Sequence, residues 1–237
     1  MEWALVTGAS SGIGKRCLSR LRQRHISVIG GARRFKTQPV EPSLEIYLDL
    51  SQAESIVNFV RKSLALLRRS SGHFKYLVLN AGEVASPTSW RDQSMSQFEK
   101  NIKTNFTGHL QLLRLLQQSG ELANMSAIVF IGSIYGRLGD ANVLSYCAAK
   151  AAVEIASNAL AKELAPKVRV NCVLPGHIET PMMASAGQAF RSQVIERTPM
   201  HRIGRVDEVA EVVEFLLTSG TFITGSSVVV DGGYQLR

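Results

Sequence analysis

A tyrosine and a lysine lie one helical turn apart in segment 145–150, which reads SYCAAK. The i,i+4 spacing of Tyr146 and Lys150 puts both side chains on one helix face, with Cβ atoms about 5–6 Å apart. At that distance and an effective dielectric constant of about 20, the ammonium stabilises a phenolate by on the order of 3 kcal/mol, or about two pKa units. The pair therefore predicts a phenol that exchanges protons near neutral pH. The alternative is the solvent-facing side of a helix.

A glycine-rich segment, TGASSGIG at 7–14, lies between a predicted strand and a predicted helix. Gly8 permits a tight turn, Gly12 lets the backbone approach a ligand, and Gly14 allows the helix to pack closely on the strand. The N-terminus of the helix presents unpaired N–H groups to an anion such as a pyrophosphate. The segment predicts a nucleotide-binding turn, with a ligand-free glycine loop as the alternative.

The elements that must position these residues alternate along the chain. Strands are predicted at 2–7, 26–31, 44–48, 75–80, 126–133, 168–174 and 226–231, and helices near 13–24, 51–70, 92–118, 146–165 and 206–218. Strands that are apolar on both faces and alternate with helices predict an α/β fold. We expect a single domain over 1–237, with a doubly wound parallel sheet of the Rossmann type and helices on both faces.

Two connections depart from this alternation. The second and third strands are joined by about a dozen residues that include Pro39 and Pro42, so we expect a loop in place of a helix. The segment 181–204 is the least sheet-like part of the chain, and we expect it to form a lid over the site.

The chain of 237 residues carries a formal net charge of +8, which favours anionic partners. The basic residues are spread over helices and loops and accompany no nucleic-acid-binding motif, so we expect no nucleic-acid partner. Cys17, Cys147 and Cys172 form an odd set without CxxC spacing, which favours a reducing compartment. The five histidines lack the paired spacing of a metal site, so we expect no metal.

The sequence enters its first predicted strand almost at once and has no apolar segment of membrane-spanning length. We therefore expect a cytoplasmic or organelle-matrix protein, a mitochondrial one included, that is neither secreted nor inserted in a membrane.

The motifs taken together resemble those of the short-chain dehydrogenases/reductases over essentially the whole chain. The resemblance is carried by Thr7-Gly8-x-x-x-Gly12-Ile13-Gly14, Asp49-Leu50, Asn80-Ala81-Gly82, Asn105, Ser133, Tyr146-x-x-x-Lys150 and Pro175-Gly176. It implies a bound nicotinamide dinucleotide. The residues it implies as cofactor contacts are Gly8, Ser10, Ser11, Gly12, Ile13, Gly14, Asp49, Leu50, Asn80, Ala81, Gly82, Tyr146, Lys150, Pro175, Gly176, Ile178 and Thr180.

The same resemblance implies a catalytic group of Ser133, Tyr146, Lys150 and Asn105. Ser133 would hydrogen-bond the substrate oxygen, and Lys150 would also bind the nicotinamide ribose. Asn105 would hold a water that links the lysine to solvent. The implied reaction is hydride transfer to a carbonyl carbon, with Tyr146 protonating the oxygen.

Arg33 and Arg34 follow the second predicted strand, where an acidic residue would accept hydrogen bonds from a free ribose 2′-hydroxyl. A guanidinium suits a 2′-phosphate, so these residues favour NADP as the cofactor. The alternative is that both arginines only solvate a loop.

Within the family, the segments PGHIETPMM, GRVDEVAEVVEFLL and ITGSSVVVDGG resemble 3-oxoacyl-acyl-carrier-protein reductases. This implies an acyl-carrier-bound carbonyl substrate and fatty-acid synthesis. The predicted helices 92–118 and 146–165 carry more apolar residues than one sheet face needs, and the family resemblance implies that they pair in a homo-tetramer, with core packing as the alternative. The segments EVASPTSW and MSA depart from that subgroup, while Lys167 or Arg169 remain as carrier-docking residues. A carbonyl, quinone or alcohol oxidoreductase acting on free small substrates is the alternative. A non-catalytic cofactor-binding subunit is a more distant one.

Overall fold

The computed structural model describes residues 1–35, 44–84, 88–184 and 186–236. Its centre is a seven-stranded sheet whose strands all run parallel, in the order β3-β2-β1-β4-β5-β6-β7. The strands are β1 Glu2–Thr7, β2 Ser27–Ala32, β3 Leu44–Tyr47, β4 His73–Leu79, β5 Ala127–Ile131, β6 Arg169–Pro175 and β7 Ser227–Val230. The seven predicted strands and the doubly wound parallel sheet are confirmed.

Nine α-helices occur in the described part of the chain. They are α1 Gly12–Gln23, α2 Ala53–Arg69, α3 Met95–Ile102, α4 Gly108–Gln118, α5 Tyr135–Leu138, α6 Leu144–Leu164, α7 Pro181–Ala184, α8 Gln188–Arg197 and α9 Val206–Thr218. The single helix predicted over 92–118 begins later, at Met95, and is interrupted by a π-helical turn at Lys103–Thr107.

The sheet separates two hydrophobic cores because neighbouring residues of each strand point to opposite faces. On one face Leu5 and Leu77 pack with apolar residues of α2, α4 and α6. On the other face Val6 and Val78 pack with apolar residues of α1 and α9. The two cores fix the strand ends, and with them the loops at the carboxyl edge of the sheet.

Arg169, one of the two residues expected to dock a carrier protein, is bonded to the backbone at the end of α9. Its guanidinium donates to the carbonyl oxygens of Leu216, Leu217 and Gly220 at 2.6 to 2.8 Å, at the carboxyl end of α9. A cation there satisfies carbonyl groups that the helix leaves unpaired. Lys167 is exposed, and the docking of a carrier protein by either residue stays a prediction.

The segment 181–204 contains the two helices α7 and α8, and its role as a lid stays a prediction. Ser185 within it lies outside the described residues, as do 36–43 in the crossover predicted to be a loop and 85–87 in the EVASPTSW segment. No helix among the described ranges has the length and apolarity that a bilayer crossing needs.

Candidate active site

Ser133, Tyr146 and Lys150 meet at the carboxyl edge of the sheet. Ser133 follows β5, is 6% exposed and accepts a hydrogen bond from the Tyr135 N–H at 3.2 Å. Lys150 is 3% exposed, and its Nζ donates to the Ile131 carbonyl oxygen at 2.8 Å. The same Nζ lies 5.7 Å from the centre of the Tyr146 ring, on the face of α6 that the i,i+4 spacing predicted.

The net shift in the pKa of Tyr146 is a rise, opposite to the lowering that the spacing of Tyr146 and Lys150 predicted. Burial raises the pKa of Tyr146 above its ordinary value, and a hydrogen bond with Ser133 opposes that rise only in part. Burial also lowers the pKa of Lys150 to about 8, because an ammonium in a low-dielectric interior is poorly solvated. The spacing of the two residues indicates the attraction between their side chains but not the loss of water around each.

Asn105 lies in the π-helical turn and is completely buried. Its Nδ2 donates to the Glu83 carbonyl oxygen at 2.9 Å and to Oδ1 of Asn101 at 2.7 Å, and its Oδ1 accepts from the Glu83 N–H at 3.1 Å. A Cβ added to Gly82 would lie 2.6 Å from Oδ1 of Asn105 and 3.5 Å from Nζ of Lys150. Asn105 therefore joins the loop after β4 to the surroundings of the lysine, and π turns are frequent at functional sites.

The glycine-rich turn at 7–14 forms a concave surface, the cradle, which side chains in place of its glycines would fill. Gly8 and Gly12 have φ angles of +69° and +55°, in the region that favours glycine. A Cβ on Gly14 would lie 2.4 Å from the Gly8 carbonyl oxygen. Ser10, Ser11 and Ile13 are partly buried, and Ser11 is the N-cap of α1 without a side-chain capping bond. The cradle and the helix N-terminus fit the pyrophosphate of a dinucleotide.

The loop after β4 is held against this turn by Thr7. The Thr7 Oγ1 accepts from the N–H groups of Asn80 and Ala81 at 2.9 and 3.0 Å. The Asn80 Nδ2 donates to the Thr7 carbonyl oxygen at 3.0 Å. Asn80 and Ala81 thus border the cradle, and the contact of Asn80, Ala81 and Gly82 with a cofactor stays a prediction.

Asp49 and Leu50 are both buried after β3. The Asp49 Oδ1 accepts from the Ser51 backbone N–H at 2.9 Å and from its Oγ at 2.7 Å. The carboxylate is therefore engaged in holding the start of α2.

The end of β6 and the loop after it contain Pro175, Gly176, Ile178 and Thr180, of which Thr180 lies beside the cradle. The Pro175 carbonyl accepts from the Ile134 N–H at 3.1 Å, which joins this loop to the one that carries Ser133. Ile178 is buried and pairs with Gly204 in an isolated bridge. A Cβ on Gly12 would lie 3.3 Å from Cγ2 of Thr180, so the loop faces the glycine-rich turn directly.

Arg33 and Arg34 are exposed after β2. Arg33 is not free in the structure: its Nη2 lies 2.8 Å from Oε2 of Glu83. This partner was missed by the sequence argument, because Glu83 follows a different strand.

A cluster of aromatic rings beside Ser133 was also missed. His177 has its ring centre 5.6 Å from that of Tyr135, 5.6 Å from that of Phe190 and 4.8 Å from that of Tyr234, all in edge-on arrangements. The His177 Nε2 lies 3.5 Å from the Tyr135 hydroxyl. Burial lowers the pKa of His177 to about 4, so the ring is neutral near pH 7. The available sequence signal was the position of two rings, Tyr135 two residues after Ser133 and His177 directly after Gly176.

One buried histidine near the site has no assigned role. His109 in α4 is 1% exposed, and neither ring nitrogen has a hydrogen-bond partner within the described ranges. Burial, followed by the positive charge of Lys150, lowers its pKa to about 3. Among the residues that the structure describes, no group of three or more His, Cys, Asp or Glu side chains is arranged to hold a metal ion.

The comparisons with known proteins agree with this geometry. A family model described as enoyl-(acyl carrier protein) reductase matches residues 8–235. A 3-oxoacyl-[acyl-carrier-protein] reductase of Pseudomonas aeruginosa is 33% identical over 98% of this chain and 97% of its own. The cis-4-hydroxycyclohexanecarboxylate dehydrogenase of Sinomonas cyclohexanicum is 30% identical over 98% and 95%. The solved structure of a 3-ketoacyl-(acyl-carrier-protein) reductase from Brucella melitensis complexed with NADH has a TM-score of 0.86 and 27% identity, and covers 98% of each chain.

Proposed function

Because the chain belongs to the short-chain dehydrogenase/reductase family, we propose that it reduces a carbonyl group to an alcohol with NADPH. The observation that carries the proposal is the meeting of Ser133, Tyr146 and Lys150 beside the glycine-rich cradle. A proton donor, its hydrogen-bond partner and a buried cation then lie at one edge of the sheet, next to the turn that suits a pyrophosphate.

The side chains have distinct roles in this reaction. A bound nicotinamide supplies the hydride. Because burial keeps Tyr146 protonated near neutral pH, the phenol is the acid that protonates the substrate oxygen. Ser133 hydrogen-bonds the same oxygen, and Lys150 stabilises the phenolate that remains once the proton has left.

The first candidate substrate is a 3-oxoacyl thioester on an acyl carrier protein. The Pseudomonas and Brucella relatives are named as reductases of this substrate class. The net charge of +8 suits an acidic carrier protein. Since the guanidinium of Arg169 is bonded at the end of α9, we expect the exposed Lys167 to contact the carrier protein.

The second candidate is a free ketone or quinone with a ring. The aromatic cluster of Tyr135, His177, Phe190 and Tyr234 favours it, because flat apolar side chains stack well against a ring. Tyr135 lies two residues after Ser133 and its N–H donates to the Ser133 hydroxyl, so the cluster adjoins the serine that would bond the substrate oxygen.

A substrate panel tests the proposal. The protein is incubated with NADPH and, separately, with a 3-oxoacyl thioester on a carrier protein, the same acyl group on coenzyme A, and cyclic ketones and quinones. Faster NADPH oxidation with the carrier-bound thioester supports the first candidate, and faster oxidation with ring substrates supports the second. If neither class is reduced faster by the parent protein than by Tyr146→Phe, the proposed function is wrong.

We also propose a reducing compartment, the cytosol or an organelle matrix. All three cysteines are buried free thiols. The cellular distribution of a tagged full-length protein tests this, and secretion into the medium would contradict it.

A further inference from the structure

The ion pair between Arg33 and Glu83 spans the edge of the sheet. Arg33 follows β2 and Glu83 lies in the loop after β4, and these two strands flank β1 on either side. Neighbouring strands are about 4.8 Å apart, so β2 and β4 are separated by about twice that distance. A contact of 2.8 Å between Nη2 and Oε2 therefore passes over the carboxyl end of β1.

The cradle of the glycine-rich turn lies at this same point. The Gly8 N–H donates to the Gly31 carbonyl oxygen of β2 at 2.7 Å, and Asn80 after β4 donates to the Thr7 carbonyl oxygen of β1. The order in which strands are added to the sheet also reverses here, because β2 and β3 lie on one side of β1 and β4 to β7 on the other. Nucleotides bind in such a crevice at the carboxyl ends of the strands. The ion pair thus crosses the mouth of the cofactor crevice.

The backbone of Glu83 is fixed while its carboxylate can move. Asn105 bonds both the N–H and the carbonyl of Glu83, at 3.1 and 2.9 Å. The side chains of Arg33 and Glu83 are 50% and 27% exposed. An ion pair with this exposure is weak, so a competing anion separates it at little cost.

We propose that Glu83 is a specificity-determining residue that competes with the ribose 2′-phosphate of NADPH for the guanidinium of Arg33. A phosphate carries more charge than a carboxylate and accepts two parallel N–H bonds from arginine, so it displaces Glu83. A free 2′-hydroxyl carries no charge and leaves the pair closed. Glu83 therefore lowers the affinity for the phosphorylated cofactor alone. This inference rests on the proposed use of NADPH.

Equilibrium binding tests the competition without any turnover. Dissociation constants are measured by calorimetry for NADP⁺, NAD⁺, adenosine 2′,5′-bisphosphate and 5′-AMP with the parent, Glu83→Gln, Arg33→Gln and the double variant. Glu83→Gln is expected to bind NADP⁺ and the bisphosphate about three- to five-fold more tightly, which is the upper part of the range for an exposed ion pair, with NAD⁺ and 5′-AMP unchanged. Arg33→Gln is expected to bind NADP⁺ about tenfold or more weakly.

The double variant isolates the coupling between the two residues. When Arg33 is absent, Glu83→Gln is expected to change no dissociation constant. The control Glu99→Gln, an exposed carboxylate on α3, is expected to leave all four ligands unaffected. An equal effect of Glu83→Gln on NADP⁺ and NAD⁺, or an effect that persists without Arg33, overturns the inference.

Failure of this inference is distinct from failure of the proposed function. A parent protein that binds NADP⁺ more tightly than NAD⁺ but shows no coupling between Arg33 and Glu83 contradicts only the role of Glu83. A parent protein that shows the coupling with the bisphosphate but reduces no carbonyl contradicts only the proposed reaction.

Discussion

Burial dominates the chemistry of individual side chains at this site. It raises the pKa of Tyr146 and lowers that of Lys150 to about 8, so both groups are shifted toward their neutral forms. The phenol is therefore a proton donor near neutral pH, and the lysine carries its charge only below about pH 8. A protonated phenol favours carbonyl reduction over alcohol oxidation, because reduction needs a proton donor for the substrate oxygen.

The lowered pKa of Lys150 predicts a pH profile. The kcat/KM for carbonyl reduction is expected to fall as the pH rises through about 8, because the ammonium that stabilises the phenolate is lost. Lys150→Met is expected to have a lower rate and no inflection at that pH. Initial rates of NADPH oxidation from pH 6 to pH 10 measure both. Lys162→Met, an exposed residue of the same helix, is the control. An unchanged inflection in Lys150→Met would assign it to another group.

Buried His109 predicts a stability that depends on pH. Its folded pKa of about 3 lies below the unfolded value of about 6.5, so its neutral form contributes stability that is complete above pH 6.5. That contribution decreases as the pH falls toward 3, by up to about 1.4 kcal/mol per pH unit.

Urea unfolding of His109→Leu between pH 7.5 and pH 4.5 tests this. We expect the variant to lose less free energy of unfolding than the parent on acidification. The exposed residue His25, changed to Asn, serves as the control. Parallel losses in His109→Leu and the parent would contradict the expectation.

At the scale of elements, much of the fold is predictable because each strand is apolar on both faces and bounded by turn residues. The seven strands and the long helices follow from that pattern. The π turn at Lys103–Thr107 does not, because the apolar pattern predicted one helix over 92–118 and did not locate the extra residue, which rotates the following helix face by about 100°.

Contacts within one element were predictable from the sequence, whereas contacts between elements were not. The spacing of Tyr146 and Lys150 lies within one helix, so it could be predicted. The contact of Arg33 with Glu83 depends on the order of β2, β1 and β4 in the sheet, which no local pattern contains. The aromatic cluster around His177 likewise joins loops and helices that are distant in the chain.

The guanidinium of Arg169 predicts an effect on the stability of α9. Arg169→Met leaves the carbonyl oxygens at the end of that helix without their donor, which is expected to cost about 1–3 kcal/mol of unfolding free energy. Lys167→Met, an exposed neighbour, is expected to change stability by less than about 0.5 kcal/mol. Chemical denaturation measures both. Equal stability of the two variants would remove the structural role of Arg169.

At the scale of the whole molecule, apolar side chains remain on the surface of the long helix α6. Ile155 is 68% exposed and Leu144 is 45% exposed, although α6 also contributes Val153 to the core. We propose that this surface pairs with a second copy in a homo-tetramer, because burial of large aliphatic side chains favours association.

Light scattering after size-exclusion chromatography tests the assembly. The parent is expected to have the mass of four chains, and Ile155→Glu a smaller mass, since a carboxylate is costly to bury in an apolar interface. Lys162→Glu on the same helix controls for added negative charge. A parent of single-chain mass would contradict the tetramer.

The most direct test concerns the phenol of Tyr146. Its removal in Tyr146→Phe is expected to lower kcat/KM for carbonyl reduction by about 100-fold or more, the contribution of a positioned proton donor. The dissociation constant for NADPH, measured on the same preparation, is expected to stay within about threefold of the parent. Carbonyl reduction at the parent rate by Tyr146→Phe would contradict the account.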